Sequence, residues 1–369
     1  MRNISCLDLE EIFEISDKKA GAVEIDVNVM KLGLHAHVFM VIVAVSLVII
    51  SQANMHRVSA NPLLDVDVET NKQTYLVGDA VRITGNVTLD GTLKNNSLVA
   101  IEIDFPNGSP FALRTVDTGN VSGGYWKVKI ADVYTSATPL GNETQLFNRG
   151  ATAYVNVVMA NIDVVSHPVR PVFYIQRSDN SPLMAMYMTT DFYVIEANRT
   201  AALSTSIQVP TTGAIGQTLI FASVFDDNVA LGGAPYCPEY AAWFYIDTQT
   251  PAAPAQPEHF NVAFNLPKIN AKLGNYTITA RSKYQVTLAT DIKPFEVILL
   301  GDVTGPTPGV PDGKVDMRDI GFIVNLYGTR EGDPNWVPKA NLYVDDGVQV
   351  INMRDIGIAC NNFGKSGSY

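Results

Sequence analysis

The feature that most constrains the fold of this chain is an alternation of apolar and polar residues that starts near Leu63. Val81, Ile83 and Val87 alternate with polar neighbours, and the same pattern returns at residues 99–105 and 126–130. Successive side chains of a β-strand point to opposite faces of a sheet, so the pattern is typical of half-buried strands. Turn signals rich in glycine separate these segments. The sequence therefore predicts a mainly β protein made of antiparallel β-sandwiches.

Length and composition indicate several folded domains. At roughly 100 to 200 residues per domain, a chain of 369 residues has room for two or three. Apolar residues make up 47% of the chain and charged residues 17%, which is the balance of packed proteins rather than disordered ones. We expect an export signal or membrane anchor at residues 1–60, an Ig-like β-sandwich at 61–134, a second one at 135–299, and a small α-helical calcium-loop domain at 300–369.

The second sandwich is predicted from five strand-like segments, at residues 153–158, 172–176, 219–225, 241–246 and 276–280. Pro251, Pro254 and Pro257 cannot donate hydrogen bonds to a sheet, so they predict a long loop between the last two of these segments.

An uncharged apolar run of 13 residues, 38–50, predicts export. Its length matches the centre of a signal peptide better than the roughly 20 residues that span a bilayer. Acidic residues before Met30 are unusual in a signal peptide, so we expect the true start at Met30. The alternative is an uncleaved transmembrane helix over residues 34–55. Both readings place the remainder outside the cell or on its surface, with membrane contact only through this segment.

Glycosylation sequons agree with export, and the cysteines indicate neither a zinc site nor a redox motif. The sequon Asn-x-Ser/Thr occurs at Asn3, Asn86, Asn95, Asn107, Asn120, Asn142, Asn198 and Asn275. Cys6, Cys237 and Cys360 lack the close spacing of a zinc or redox motif. We expect Cys237 and Cys360 to be unpaired thiols because they fall in different predicted domains; the alternative is a disulfide between them.

Charge and motif content exclude several function classes. A formal net charge of −11 opposes the phosphates of nucleic acid, so no nucleic-acid partner is expected. The chain contains no P-loop and no Gly-x-Ser-x-Gly or Gly-x-Gly-x-x-Gly motif. Beyond residue 60 the histidines are His167 and His259, which do not form a catalytic zinc motif. We therefore predict a protein that is not an enzyme.

A duplicated segment near the C-terminus predicts calcium loops. Residues 315–328 read VDMRDIGFIVNLYG, and residues 351–364 read INMRDIGIACNNFG. Each copy closes a loop rich in Asp and then starts an apolar helix-like run, as in an EF-hand loop whose final carboxylate lies at the start of the exiting helix. The predicted Ca²⁺ ligands of the first loop are Asp302, Thr304, Asp312, the carbonyl of Lys314, Asp316 and Asp319.

The second loop is more degenerate and is expected to bind Ca²⁺ weakly or not at all. Its predicted ligands are Asp345, Asp346, Asn352 and Asp355. The alternative for both loops is a pair of solvated acidic turns that hold no ion.

This paired arrangement resembles a type I dockerin, including the sequence DPNW at residues 333–336. The resemblance implies a module that Ca²⁺ folds and that docks into a cohesin-like partner. The family positions that contact cohesin correspond here to Met317, Arg318, Met353 and Arg354. The alternative is that these side chains only cover the helix pair.

The predicted β modules also resemble known families. The sequence TNKQTYLVGDAVRITGNV at residues 70–87, followed by FPNGS, resembles macroglobulin-type Ig-like modules of bacterial and archaeal surface proteins. The segments FNRGATAYVNVVMAN, VPTTGAIGQTLIFASVF and AKLGNYTITA resemble CARDB-like adhesion modules. Both resemblances imply a spacer or adhesion role without catalytic residues.

These observations together predict a secreted or cell-surface protein that docks to a protein partner through Ca²⁺-dependent loops and uses its Ig-like modules as spacer or adhesion units. Two alternatives stay open. One is a carbohydrate-binding accessory to polysaccharide breakdown that contacts a cell-surface glycan, and the other is a structural surface-layer protein.

Overall fold

Extended strands dominate the structure, a computed structural model that describes residues 63–368 except 120, 122–123, 213, 250–258, 345–346 and 348. The prediction of a mainly β fold is confirmed. The predicted export segment and the proline-rich loop lie outside the described residues. In the part that is described, no helix is both long enough and apolar enough to cross a membrane.

All five strand-like segments predicted between residues 153 and 280 fall within observed strands. In chain order the described strands are β1 (Leu64–Thr70), β2 (Thr74–Leu76), β3 (Ala80–Leu89), β4 (Thr92–Leu93), β5 (Leu98–Asp104), β6 (Pro110–Asp117), β7 (Val128–Ser136), β8 (Leu146–Phe147), β9 (Thr152–Asn161), β10 (His167–Gln176), β11 (Pro182–Tyr187), β12 (Tyr193–Ile195), β13 (Thr200–Gln208), β14 (Gly216–Phe225), β15 (Tyr240–Ile246), β16 (Asn261–Asn265), β17 (Ala271–Lys272), β18 (Gly274–Tyr284), β19 (Thr287–Ile298) and β20 (Gly367–Ser368). The α-helices are α1 (Met317–Asn325) and α2 (Met353–Asn361), and short 3₁₀ turns lie at Val229–Leu231 and Pro338–Ala340.

The first sheet pair forms around a core of aromatic and β-branched side chains. One sheet has the strand order β1-β3-β16 with β4 beside β3, and the facing sheet has the order β2-β19-β18-β5-β6. Alternation along β3 buries Val81, Ile83 and Val87, as predicted. These side chains share one cluster with Tyr75 and Phe295 of the facing sheet.

The second sheet pair has a core of its own. One sheet has the order β11-β10-β14-β15-β8 with β12 beside β10, and the other has the order β13-β9-β7. Phe173 and Phe244 from the first of these sheets pack with Val155 and Met159 from the second.

The second sheet pair is inserted into the first. Strands β16, β18 and β19 follow the second pair in the sequence but return to the sheets of the first pair. Val262 lies opposite Ile83, and Ile278 lies opposite Ile103. The predicted boundary between residues 134 and 135 therefore does not divide the sheets, because residues 261–298 complete the first pair. Alternation identifies strands but carries no information about which strand is the partner.

Strand β5 is buried on both faces. Val99, Ile101 and Ile103 face the first core, as the alternation predicts. Ala100 faces the other way and packs with Val172 and Phe225 of the second sheet pair, together with Leu113 and Val229. The prediction that alternate residues of β5 face solvent is wrong here, because the inserted sheet pair covers the outer face of this strand.

The two helices repeat one local design. Asp316 caps α1 and forms a reciprocal capping box with Asp319, and Asn352 and Asp355 do the same for α2. Helices of nine residues are marginal in isolation and depend on packing. Here they share a small core that includes Ile323 and Ala359. The duplicated sequence therefore produces a duplicated capped helix.

The C-terminal residues attach to the first sheet pair. Strand β20 pairs with β17, and the backbone N–H of Ser366 donates to the carbonyl of Lys268 at 3.1 Å. Gly367 makes this approach feasible, since a Cβ at that position would lie 2.6 Å from Cδ2 of Leu273.

Candidate functional site

The predicted ligands of the first calcium loop bind the backbone of their own loop. Asp319 is fully buried; its Oδ1 accepts the N–H groups of Val303 and Thr304 at 2.9 Å each, and its Oδ2 accepts the N–H of Asp316 at 2.8 Å. Asp302 accepts the N–H of Asp312 at 3.1 Å and that of Gly313 at 2.8 Å. Partial burial raises the pKa of the Asp302 carboxyl above its ordinary value.

Three more of the predicted oxygen ligands, Thr304, Asp312 and Asp316, accept backbone N–H groups in the same way. Thr304 Oγ1 accepts the N–H of Gly309 at 2.8 Å. Asp312 accepts the N–H of Lys314 at 3.2 Å and contacts the Arg318 guanidinium at 3.3 Å. Asp316 accepts the N–H of Arg318 at 2.7 Å as the helix cap. The carboxylates of this loop thus satisfy donors that the turn and the helix N-terminus would otherwise leave unpaired.

The second loop repeats this arrangement. Asp355 is fully buried; its Oδ1 accepts the N–H groups of Leu342 and Tyr343 at 2.6 and 2.8 Å, and its Oδ2 accepts the N–H of Asn352 at 2.7 Å. Asn352 Oδ1 accepts the N–H of Arg354 at 2.8 Å. The predicted ligands Asp345 and Asp346 lie outside the described residues.

The resemblance to a dockerin with EF-hand-like calcium loops is wrong. Among the described residues, no group of three or more His, Cys, Asp or Glu side chains converges where it could hold a metal ion. The physical reason is the use of the carboxylates just described: Asp319 and Asp355 turn both oxygens towards backbone N–H groups. The cohesin-like partner was implied by that resemblance and loses its basis with it.

The residues predicted to contact a partner lie on the surface of the helix pair. Met317 is 66% exposed and Met353 is 64% exposed, so neither side chain covers the small helical core. Arg318 pairs with Asp312, and the Arg354 guanidinium lies 4.6 Å from the centre of the Tyr343 ring.

A buried ion pair joins the two sheet pairs. The Arg114 guanidinium of β6 contacts the Glu239 carboxylate, which immediately precedes β15, through Nε at 2.9 Å and a terminal nitrogen at 2.6 Å. Glu239 also accepts the N–H of Thr115 at 3.1 Å. The Arg114 side chain is 3% exposed, and its guanidinium lies 3.7 Å from the centre of the Phe221 ring. A bidentate contact in a buried environment fixes the relative orientation of the two side chains and also strengthens the ion pair.

A buried glutamate forms a second contact between the sheet pairs. Glu102 of β5 accepts the hydroxyl of Tyr187 at 3.2 Å and the N–H of Ala230 at 2.8 Å, both from the inserted pair. Burial, reinforced by the neighbouring carboxylate of Asp104, raises the pKa of Glu102 to about 7, while Arg281 opposes the shift. Burial also raises the pKa of the Tyr187 hydroxyl and that of the Asp104 carboxyl. This contact therefore contains a carboxyl that changes charge near neutral pH.

The alternation of apolar and polar residues does not predict that Glu102 and Arg114 lie between the two sheet pairs. The pattern assigns Glu102 to a solvent-facing position, whereas the side chain is 3% exposed. The available signal was the placement of Glu102 and Arg114 inside the apolar strands LVAIEID and PFALRTVD. Charged side chains in such surroundings are almost always paired.

Comparison with known proteins adds no family. No family model matches the chain, and no curated protein matches it. The predicted resemblances to dockerin, macroglobulin-type and CARDB-like families are therefore wrong.

Three solved structures share a limited part of the chain. A Pseudomonas fluorescens alkylpurine DNA glycosylase, AlkC, bound to DNA containing an abasic site analog is 11% identical over 34% of this chain and 32% of its own, with a TM-score of 0.25. The sporulation control protein Spo0M of Bacillus subtilis is 11% identical over 34% of this chain and 50% of its own, with a TM-score of 0.25. A β-glucosidase from Listeria innocua in complex with isofagomine is 11% identical over 33% of this chain and 16% of its own, with a TM-score of 0.22.

The chain thus spans half or less of the length of these structures. With TM-scores of 0.22 to 0.25, these structures assign neither a fold nor a function to this chain.

Proposed function

We propose that the chain is a non-catalytic extracellular or cell-surface protein whose described part is a rigid spacer made of two interlocked Ig-like β-sandwiches. The Ig-like class is supported by two mainly antiparallel sheet pairs, each packed around its own core. Rigidity is supported by the buried Arg114–Glu239 ion pair and by the contacts of Glu102 across the same junction.

The observation that carries the proposal is the position of the two ends of the described part. Leu63 exchanges hydrogen bonds with Asp90, just beyond the C-terminal end of β3. Lys365 lies near Gly78, just before the N-terminal end of β3. Strand β3 has ten residues and rises about 3.3 Å per residue, so these two points are roughly 30 Å apart. The first sheet pair therefore separates Leu63 from Lys365 by the length of a sheet.

The strand arrangement suits a load applied between these ends. Strand β1 pairs antiparallel with β3 from Leu64 opposite Leu89 to Thr70 opposite Ile83. A pull on Leu63 along the strand loads this whole ladder at once rather than opening it one hydrogen bond at a time. The inserted sheet pair stays outside the load path while the first pair is intact, because the chain leaves and rejoins the first pair at Asp117 and His259, which touch.

Single-molecule pulling on the full chain, with handles at its two termini, tests the proposal. We expect abrupt lengthening in two steps, with the first sheet pair opening before the inserted pair. Val68→Ala, which removes core contacts from β1, lowers the force of the first step, whereas Asp65→Ala on the exposed face of the same strand leaves it unchanged. Gradual lengthening at low force without a step would overturn the spacer proposal.

A further inference from the structure

Six asparagines of Asn-x-Ser/Thr sequons lie in the described residues, and all six are exposed. They are Asn86, Asn95, Asn107, Asn142, Asn198 and Asn275. Exposure of the asparagine is necessary for attachment of a glycan, but the hydroxyl two positions later must be accessible as well, because the sequon is recognised through both residues. The accessibility of that second residue separates the six sites.

Two sequons expose both residues, and in each the asparagine lies in a turn. Asn107 and Ser109 are exposed in the turn between β5 and β6. Asn198 and Thr200 are exposed where a turn leads into β13, and Asn198 has a φ of 55°. Asparagine tolerates this left-handed conformation better than most residues.

The Asn107 turn also holds the sequon in a compact conformation. The Ser109 hydroxyl donates to Asn107 Oδ1 at 2.7 Å, and the Ser109 N–H donates to the same oxygen at 3.1 Å. The side-chain amide and the hydroxyl that define the sequon therefore already face each other in the folded protein.

The remaining sequons are obstructed. Asn95 is exposed in a turn, but Ser97 is only 6% exposed and its N–H donates to Thr118 Oγ1 at 3.0 Å. Asn86 is held within β3 opposite Asp67, and Asn275 within β18 opposite Glu296. Thr144 of the Asn142 sequon is half-buried.

We propose that Asn107 and Asn198 are N-glycosylation sites of the folded protein, one on each sheet pair. In the reaction the side-chain nitrogen of asparagine bonds to C1 of a sugar, the bond from C1 to the phosphate oxygen of a lipid-linked oligosaccharide breaks, and the amide proton that nitrogen loses balances the released phosphate. The lipid-linked donor is the co-reactant. The inference rests on the extracellular location in the proposed function.

The test uses the folded full chain, made without glycosylation, incubated with an oligosaccharyltransferase and a lipid-linked oligosaccharide. Peptide mass spectrometry measures the modified fraction of each sequon, and synthetic peptides of the same sequons show that the enzyme accepts each sequence. We expect Asn107 and Asn198 to be modified several-fold faster than Asn95, Asn86 and Asn275. Asn107→Gln and Ser109→Ala each remove one glycan from the intact mass, whereas Asn148→Gln, an exposed asparagine outside any sequon, removes none.

The inference is overturned if Asn107 and Asn198 in the folded chain stay unmodified while their peptides are modified, or if Asn95 is modified as fast as they are. Its failure is distinct from failure of the spacer proposal, because the pulling experiment uses unmodified protein and does not depend on any glycan.

Discussion

Asp117 and His259 lie in contact although 142 positions separate them in the sequence. The distance between Asp117 Oδ1 and His259 Nδ1 is 2.5 Å, and the N–H of Phe260 donates to the carbonyl of Asp117 at 2.7 Å. The chain leaves the first sheet pair at Asp117 and rejoins it at His259, so the two connections to the inserted pair lie side by side. The His259 side chain is 65% exposed, so its contact with Asp117 contributes little stability; the contact matters because it fixes the geometry of the insertion.

Glu102 makes the stability of the junction depend on pH. Its pKa in the folded protein is about 7, above its ordinary value of 4.5, so the folded state holds the proton more tightly. The stability that this more tightly held proton adds is therefore fully present below pH 4.5. As the pH rises through about 7, the free energy of unfolding falls by up to about 3 kcal/mol. We expect Glu102→Gln to be more stable than the unmodified protein at pH 8 and to lose this pH dependence, as measured by urea unfolding at pH 5 and pH 8.

The matched control for Glu102 is Glu296→Gln, which changes an exposed carboxyl on β19 and is expected to leave the pH profile unchanged. Equal pH dependence of the Glu102→Gln variant and the unmodified protein would contradict the prediction.

Removing one partner of the Arg114–Glu239 pair leaves a buried charge without compensation. We expect Arg114→Met to lower the free energy of unfolding by about 3–5 kcal/mol. The double variant Arg114→Met with Glu239→Gln should lose less than the sum of the two single changes, as a double-mutant cycle measures. The exposed pair Lys72–Asp79, with side-chain exposures of 51% and 25%, serves as a control and should show a coupling below about 1 kcal/mol. Additive losses at Arg114 and Glu239 would show that the pair does not act as a unit.

Asp319 supports the first helix through three backbone hydrogen bonds. Asp319→Ala leaves the N–H groups of Val303, Thr304 and Asp316 without their acceptor, at about 1–3 kcal/mol for each group that stays buried. We expect faster hydrogen exchange across α1, while β3 keeps its protection. The matched control is Glu331→Ala, which changes an exposed carboxyl after α1 and should leave hydrogen exchange as in the unmodified protein. Unchanged exchange in α1 of the Asp319→Ala variant would contradict the structural role of this carboxylate.

Chelation is expected to leave the helices intact. Because the carboxylates of both loops already accept backbone N–H groups, the capped helices need no cation to satisfy these donors. Circular dichroism and the thermal midpoint should therefore be the same in calcium and in a chelator. A midpoint that rises with calcium concentration would show that a cation binds the folded state.

Gly321 and Gly357 lie inside α1 and α2, where an added Cβ would meet open space. Alanine at either position should raise the free energy of unfolding by about 0.5–1 kcal/mol, since glycine is the weaker helix former. Gly85→Ala provides the contrast, because its Cβ would lie 2.5 Å from Cζ of Phe260, and it should destabilise the first core. Thermal unfolding of the three variants measures both effects; destabilisation by Gly321→Ala would be the contrary result.

Local pattern predicted local structure well, and long-range structure less well. The alternation at Val81, Ile83 and Val87 identified a strand whose outer face is exposed, and β3 has that exposure. The same reasoning misplaced Glu102, because alternation assumes a single buried face whereas the inserted pair covers the second face of β5. The insertion itself depends on pairings such as Val262 with Ile83, which leave no local trace in the sequence.

The C-terminal repeat shows a different limit. The repeat predicts that Asp319 and Asp355 are equivalent residues in the first turn of each helix, and in the structure their oxygens accept backbone N–H groups. A carboxylate at the start of a helix is equally suited to a cation or to the helix N-terminus, and residue identity alone does not distinguish these uses.

The insertion has a consequence for the order in which the protein forms during synthesis. Strands β1 to β6 leave the ribosome first but cannot complete their sheets until β16, β18 and β19 have been made. The inserted pair is continuous in sequence, from β7 to β15, so it is able to fold while the earlier strands wait with open edges. Translation speed and chaperone protection between residues 118 and 260 are therefore expected to govern the yield of native protein, because unpaired strand edges are prone to aggregation.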